Sequence, residues 1–407
     1  LSTNNLTLNH ERATLNTYYN YTLMKPWRDN IFIGISSMSY DGMNPSFLQE
    51  GWKELPHPEI ITTKNRISQI ENADEWEIRK KITNPYEAIF SGEEIIFPSL
   101  AKVQPLSRSY FKMIEILNHI KFWDNLPDYP FVSAHVCEGP GGFIQAVVER
   151  LIQLKKQTKG IYAMTLRPTK SHIPGWRRSS HFLKKYNQVQ LEYGADDTGN
   201  ILIPTNQEAF SKKAAGAHLF TADGGFDFSV NYTNQEQMAF PLLLASFTMG
   251  LKTLSPGGTM IIKMFDIYGK ATQDLLLGTA IFFDRFTLYK PATSRPCNSE
   301  RYFIATGFHG STKAAAFIQH LQEARVKHEQ SPLTQLFKNS WPVEISSAIE
   351  EQIKWQENLQ IKTITETLNL DKNSIYDKIL QSIQLSREWC ELFDVKIDGA
   401  FNNEYIA

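Results

Sequence analysis

Four groups of residues in this 407-residue chain are of types that do chemistry. Cys137-Glu138-Gly139-Pro140-Gly141-Gly142-Phe143 combines a thiol, an acid and closely spaced glycines. Glycine lets backbone approach a ligand, and a helix that begins where the run ends would aim its unpaired N–H groups at the same ligand. Thr221-Ala222-Asp223-Gly224-Gly225-Phe226 places a carboxylate before two glycines. Lys263 closes the apolar run Thr259-Met260-Ile261-Ile262-Lys263, where an ammonium is costly unless paired. Glu300 lies in Ser294-Arg295-Pro296-Cys297-Asn298-Ser299-Glu300-Arg301-Tyr302. Taken singly, Lys263 reads as a snorkelling edge residue and Glu300 as a surface partner of Arg301. Taken together with Asp223, they form a lysine and carboxylate cluster around one crevice.

The elements that must position these groups are legible as alternating short apolar runs and helical patterns from about Pro98 to Gly310. Such alternation predicts βαβ units and a mostly parallel sheet. Strands are expected at Phe131 to Val136, Ile161 to Leu166, Leu219 to Ala222 and Thr259 to Lys263. Arg285 to Tyr289 with Tyr302 to Thr306 forms a terminal antiparallel hairpin. Helices are expected at Phe143 to Leu154 and Gln235 to Leu251. The glycine loop therefore joins a strand to a helix, where parallel α/β sheets bind ligands. Its spacing is neither the GxGxxG of dinucleotide folds nor the GxxxxGK[ST] phosphate loop. That leaves an adenosine ligand other than NAD or ATP, of which S-adenosylmethionine is the common one on such a sheet, or a bare tight turn.

The division predicted is an α+β extension over 1–95, a catalytic α/β domain over 96–310 and a helical region over 311–407. At 42% hydrophobic, 21% charged and 12% aromatic residues the composition excludes a mainly disordered, collagen-like or coiled-coil chain. No window approaches about 18 apolar residues, so no membrane span is expected. The polar start LSTNNLTLNHERATLN does not read as a signal peptide. Cys137, Cys297 and Cys390 lie far apart without CxxC spacing, which speaks for a reducing, intracellular compartment and against a structural zinc site. Nucleus, cytoplasm and a viral factory all fit. No His/Cys/Asp cluster has metal-ligand spacing, so no metal is expected.

Net charge is −1, from 42 Lys plus Arg against 43 Asp plus Glu, and announces no polyanionic partner by itself. Its distribution is uneven. Leu151 to Gln190 contains no acid, while Lys155, Lys156, Lys159, Arg167, Lys170, Arg177, Arg178, Lys184 and Lys185 fall inside it. The stretch is either a landing surface for a polyanion or a solvated face. Trp176, beside Arg177 and Arg178, either stacks on a base or packs in the core.

Eight blocks, in order, give this chain its resemblance to a known family. They are Asn84-Pro85-Tyr86-Glu87, Ser107 to Met113, Cys137 to Phe143, Met164-Thr165-Leu166, Asp196 with Gly199-Asn200-Ile201, Ala222 to Phe226, Lys263 to Asp266, and Lys290 to Tyr302. Over about residues 84 to 308 the chain resembles the FtsJ/RrmJ-like 2′-O-ribose methyltransferases. Within them, KPATSRPCNSERY is similar to the block that mRNA cap methyltransferases of animals and large DNA viruses carry. The resemblance implies a Rossmann-like S-adenosylmethionine-dependent sheet and methylation of the first transcribed nucleotide of capped mRNA.

It also implies residue roles. The Lys-Asp-Lys-Glu tetrad falls on Lys112, Asp223, Lys263 and Glu300, with Lys263 as general base toward the ribose 2′-hydroxyl. A nearby second cation and partial burial are expected to depress the Lys263 pKa. Ser107, Cys137, Glu138, Gly139, Pro140, Gly141, Gly142, Phe143 and Asp196 match donor-binding positions. Asn234, Gln235 and Asn298 match RNA contacts, to which Arg177 and Arg178 add the basic surface. Glu138 replaces a small residue of the family's loop and adds a negative charge there. The implied partners are capped RNA and a protein of the capping or transcription machinery. Two alternatives remain: the same chemistry on ribosomal, transfer or internal RNA, and a catalytically silent donor- or RNA-binding subunit of a capping complex.

Overall fold

The computed structural model describes residues 40, 43–48, 56–70, 72–91, 98–126, 130–169, 175–225 and 235–398. Strand β1 (Pro45–Leu48) is followed by helices α1 (Pro58–Asn65), α2 (Ala73–Ile82) and α3 (Ser109–His119). Next come β2 (Phe131–Val136), α4 (Gly142–Gln153), β3 (Thr158–Met164), α5 (Ser180–Lys185), β4 (Val189–Glu192), α6 (Pro204–Lys213) and β5 (Ala217–Ala222). They lead to α7 (Gln235–Thr253), β6 (Leu254–Met264), α8 (Lys270–Ala280), β7 (Phe283–Tyr289) and β8 (Arg301–Phe308). The chain continues through α9 (Ala315–Gln330), β9 (Gln335–Phe337), α10 (Val343–Leu368) and α11 (Ile375–Leu392).

The main sheet has the order β4-β3-β2-β5-β6-β8-β7. Every neighbouring pair is parallel except those of β8, which lies antiparallel between β6 and β7. This is an α/β sheet with the antiparallel hairpin at its end. All six residues of β2 are buried, as a strand covered by helices on both faces requires. The chain runs outward from β2 through β3 to β4, then returns to add β5 and β6 on the other side. The sheet therefore reverses direction between β2 and β5, where open α/β sheets hold ligands at the carboxyl ends of their strands.

Strand β4, Val-Gln-Leu-Glu, is not among the strands expected, because its four residues carry too little pattern to mark it. Strand β6 begins earlier than expected and includes the turn Pro256-Gly257-Gly258, with a register irregularity between Ala217 and Leu219 of its partner. Elements from both ends of the chain close around the sheet. Strand β1 pairs antiparallel with β9. Leu333, Phe337, Trp341 and Ile345 share one core cluster with Phe220, Met260 and Phe303 of the sheet. Trp389 of α11 is fully buried in a second, edge-on to Phe111 of α3 with ring centroids 5.9 Å apart.

Candidate active site at the switch point

Strand register gathers the expected chemistry on one edge. Val136, Ala222 and Ile262 lie side by side on β2, β5 and β6, so the next residues, Cys137 and Asp223 just past their strands and Lys263 still within β6, fall at one level of the sheet edge. Tyr302 of β8 pairs with Lys263. Lys263 Nζ donates to the Asp223 main-chain oxygen at 2.7 Å and lies 3.3 Å from Asp223 Oδ1. The Tyr302 hydroxyl donates to the same Oδ1 at 3.0 Å.

The other two residues arrive from outside the sheet. Lys112 sits on α3 and its Nζ lies 2.6 Å from Glu300 Oε1, which also accepts from the Ser294 hydroxyl at 2.7 Å. The four side chains keep between 10% and 15% exposure, enough to meet a substrate while shielded from bulk water. Burial alone would raise the Glu300 carboxyl, but the charges of Lys112 and Lys263 hold it down to about 2. For Lys263 the outcome opposes the expectation. Burial lowers it, yet Asp223 and Glu300 outweigh burial and hold the ammonium above the ordinary lysine range. The reason is arrangement: each lysine faces an acid, so the second cation is screened from Lys263 by Glu300.

The glycine loop forms the wall beside this cluster. Gly141, at φ +104°, caps α4 in the left-handed region that glycine tolerates. At Gly142 a Cβ would lie 2.3 Å from Ser109 Oγ, 2.4 Å from Ser107 Oγ and 2.8 Å from the Tyr110 backbone nitrogen. Close approach, and not conformation, demands glycine there. Gly139 and Pro140 complete the turn, joined by a cis peptide, and Phe143 is fully buried beneath it. Burial pushes the Cys137 thiol up to about 12, so it is no nucleophile.

Glu138, read from the sequence as an added negative charge at the loop, is buried. It is 3% exposed, and burial together with Asp223 raises its carboxyl well above the usual range. One oxygen accepts from Thr221 and the other has no protein partner. Behind Thr221, His135 bridges to Ser133. Burial depresses this histidine to about 3, leaving it neutral.

Asp196 is exposed in the loop after β4. Thr198 N, Thr198 Oγ1 and Asn206 Nδ2 all donate to its Oδ1, at 3.0, 2.7 and 2.8 Å, which leaves Oδ2 for a ligand. These bonds, led by that from the Thr198 hydroxyl, hold its pKa low. Ser107 Oγ lies 2.6 Å from Ser109 Oγ, against Gly142. Trp176 is buried, and a Cβ on Gly141 would lie 3.3 Å from its ring, so it packs on the glycine loop instead of presenting a stacking face. Ser179 donates to the Pro140 oxygen, which leaves exposed Arg177 and Arg178 flanking the loop. Gln235 opens α7, is buried and accepts from the Ser299 hydroxyl at 3.4 Å. Asn298 is exposed beside it. Asn234, Lys170 and Phe226 lie outside the described residues.

Three buried ionisable residues hold the 290–300 segment: Glu87 and Lys290, which lie in the resemblance blocks without an assigned role, and Glu115, which the sequence did not single out. Glu115, one helical turn after Lys112, accepts from Ala292 N and Tyr289 OH at 2.7 Å each, Thr293 Oγ1 at 3.2 Å and Trp389 Nε1 at 3.2 Å. Glu87 takes Arg295 in a two-pronged contact at 2.9 and 3.1 Å, with Arg108 at 3.4 Å. Lys290 Nζ donates within the segment itself. The available signal was an acid on the apolar face of an amphipathic helix, three residues from a candidate lysine. Among the described residues no group of three or more His, Cys, Asp or Glu could hold a metal ion, and no helix is long and apolar enough to cross a membrane.

Known proteins share this sequence pattern. The chain is 30% identical over 301 residues to "Cap-specific mRNA (nucleoside-2'-O-)-methyltransferase 1" of Trypanosoma cruzi, covering 69% of this chain and 80% of that protein. It is 32% identical over 269 residues to the protein of the same name from Dictyostelium discoideum, covering 61% of this chain and 34% of that one. To the Homo sapiens protein of that name it is 36% identical over 181 residues, 43% of this chain and 21% of the human one. The chain thus spans most of the trypanosome protein, but only about a third and a fifth of the other two. Residues 105–308, which carry the whole sheet edge with its lysines and acids, match the FtsJ-like methyltransferase family, and the chain belongs to that family.

Proposed function

We propose that this chain transfers a methyl group from S-adenosylmethionine to the ribose 2′-hydroxyl of the first transcribed nucleotide of capped mRNA. The observation that carries the reading is the pairing of Lys263 with Asp223 and Lys112 with Glu300 at the sheet's switch point. The names of the relatives support the cap as substrate. The loop Cys137–Phe143 fits a donor nucleoside: it leads into the α4 N-terminus, and its Glu138 carries a buried carboxyl oxygen with no protein hydrogen-bond partner. Ser107, packed against Gly142, and Asp196, with one carboxylate oxygen left for a ligand, supply further donor contacts.

S-adenosylmethionine supplies an electrophilic methyl group on a sulfonium. The chain's own task is to place the ribose oxygen in line and take its proton. Lys263 Nζ receives that proton, Asp223 and Tyr302 fix the amine, and Lys112 is steadied by Glu300. Lys263 is protonated in the free protein, so acceptance requires the amine to be uncovered first. Any cation bound beside it favours this, since a like charge disfavours the ammonium. Positioning and electrostatics account for the remaining acceleration. Gln235, Asn234 and Asn298 hold the RNA, with Arg177 and Arg178 drawing in its phosphates.

The test is transfer of label from S-adenosylmethionine to matched RNAs ending in a methylguanosine cap, an unmethylated cap or a triphosphate. Label on the first ribose of capped RNA alone, lost in Lys263→Ala, is the expected result. Label on all three RNAs would move the substrate to RNA at large. Donor binding without transfer would make the chain a silent subunit.

A further inference from the structure

Lys290 is a lysine in an unusual position. It is 4% exposed, and among the described residues no carboxylate forms an ion pair with it. Its Nζ donates instead to the Asn298 main-chain oxygen at 2.9 Å, the Asn298 side-chain Oδ1 at 2.9 Å and the Glu300 main-chain oxygen at 2.8 Å, with Ser294 Oγ at 3.4 Å. Burying an ammonium among neutral oxygens is expensive, and an apolar side chain would fill the space at lower cost. Three carbonyl oxygens converging on one nitrogen use all its protons. Two of them belong to the exposed Asn298, and the third to Glu300, whose carboxylate holds Lys112.

We propose that Lys290 is a positioning residue for the reaction: its ammonium ties Asn298 and Glu300 into one unit, so that the RNA contact and the acid of the catalytic cluster are set together. The inference rests on the roles given above to Asn298 and Glu300. It makes the segment a device with a proton dependence. The ammonium has three N–H groups for the three close oxygens, whereas the neutral amine has two and turns its lone pair toward the third. The charged groups around it are Glu300, which favours the charge, and Arg301 and Lys112, which oppose it, with the Cys297 thiol also near. Burial dominates and pushes the ammonium down to about 7. The clamp is therefore fully made below pH 7 and is lost as pH rises through that value.

The experiment measures kcat, KM for capped RNA and donor Kd for the wild-type protein, Lys290→Met, Glu300→Gln and the double variant, each at pH 6.5 and 8.5. In the wild type the RNA KM should rise severalfold between these pH values while donor Kd stays constant. Lys290→Met should show the high KM at both values, a kcat about tenfold lower and a donor Kd within a factor of about two, since the glycine loop sits on another strand. Combined with Glu300→Gln, Lys290→Met should cost kcat little more than Glu300→Gln alone, because Lys290 acts through Glu300. A purely structural lysine would instead show additive losses and an unshifted pH dependence, and either result overturns the proposal. Should Lys290→Met fail to bind donor, the wild type decides: an RNA KM flat across the range overturns the proposal, and a rise supports it. Absence of transfer by the wild-type protein would count against the proposed function instead.

Discussion

At the scale of single residues, the cluster is organised by pairing opposite charges. Burial by itself lowers the Lys263 ammonium; Asp223 and Glu300 outweigh it and hold the ammonium above the ordinary lysine range. The sign of the pH effect follows. Only the neutral amine accepts a proton, and with the pKa above the ordinary lysine range its fraction grows about tenfold per pH unit through neutrality. In Lys290→Met, where the Lys290 proton no longer contributes, the kcat for 2′-O transfer should accordingly climb from pH 7 into the alkaline range, as far as the fold survives. Lys263→Ala in that background should lower kcat by at least about 10²-fold and abolish that climb, while calorimetry finds donor affinity unchanged. An unaltered pH slope would remove Lys263 from the role of base.

Elements matter because the clustered groups are held from neighbouring elements: Lys263 by the Asp223 main chain and the 290–300 segment by α3. Helix α3 serves two purposes with one face: Lys112 reaches Glu300, and Glu115 gathers the 289–293 backbone and side chains along with the Trp389 indole. Glu115→Ala would strand several buried donors, each worth about 1–3 kcal/mol. Denaturant unfolding should show a drop of about 3 kcal/mol or more in stability, with transfer impaired at temperatures where the protein is still folded. The same helix begins against the glycine loop. A methyl group at Gly142 collides with Ser107, Ser109 and the Tyr110 backbone, so Gly142→Ala should weaken donor binding by at least about tenfold. It should also lower kcat, because displacing the first turn of α3 carries Lys112 with it.

Across the whole molecule, the sheet edge is completed by chain segments far apart in sequence. Glu87 from the N-terminal side clamps Arg295, and Trp389 near the C-terminal side bonds Glu115. The proposed RNA surface draws on the same spread of segments: exposed Arg177 and Arg178 flank the glycine loop, and exposed Asn298 comes from the segment before β8. Neither arginine has an acidic partner among the described residues, whereas Arg167, from the same basic stretch, is held by Asp197 at 2.7 Å. Reversing both charges should raise the RNA KM and flatten its dependence on salt. In a plot of log affinity against log salt, the slope should fall by roughly 0.7 for each phosphate that is no longer neutralised. An RNA affinity indifferent to the change would make this stretch a solvated face.

The sequence by itself determined the local pieces: the buried strand Phe131–Val136, the helix that follows the glycine loop, and the residue types Lys112, Asp223, Lys263 and Glu300 at family positions. These follow from periodicity, from glycine's steric freedom and from motif order, all of which act over a few residues. Only the tertiary structure decided which charges survive. The Glu138 carboxyl is raised because the fold buries it beside Asp223, and the Lys263 ammonium is raised because two acids from other parts of the chain surround it. Glu115, Glu87 and Lys290 gain their importance from partners up to 274 residues distant or from a turn closed over a single nitrogen. Desolvation and Coulomb interaction are set by three-dimensional neighbours, and no window along the chain contains them.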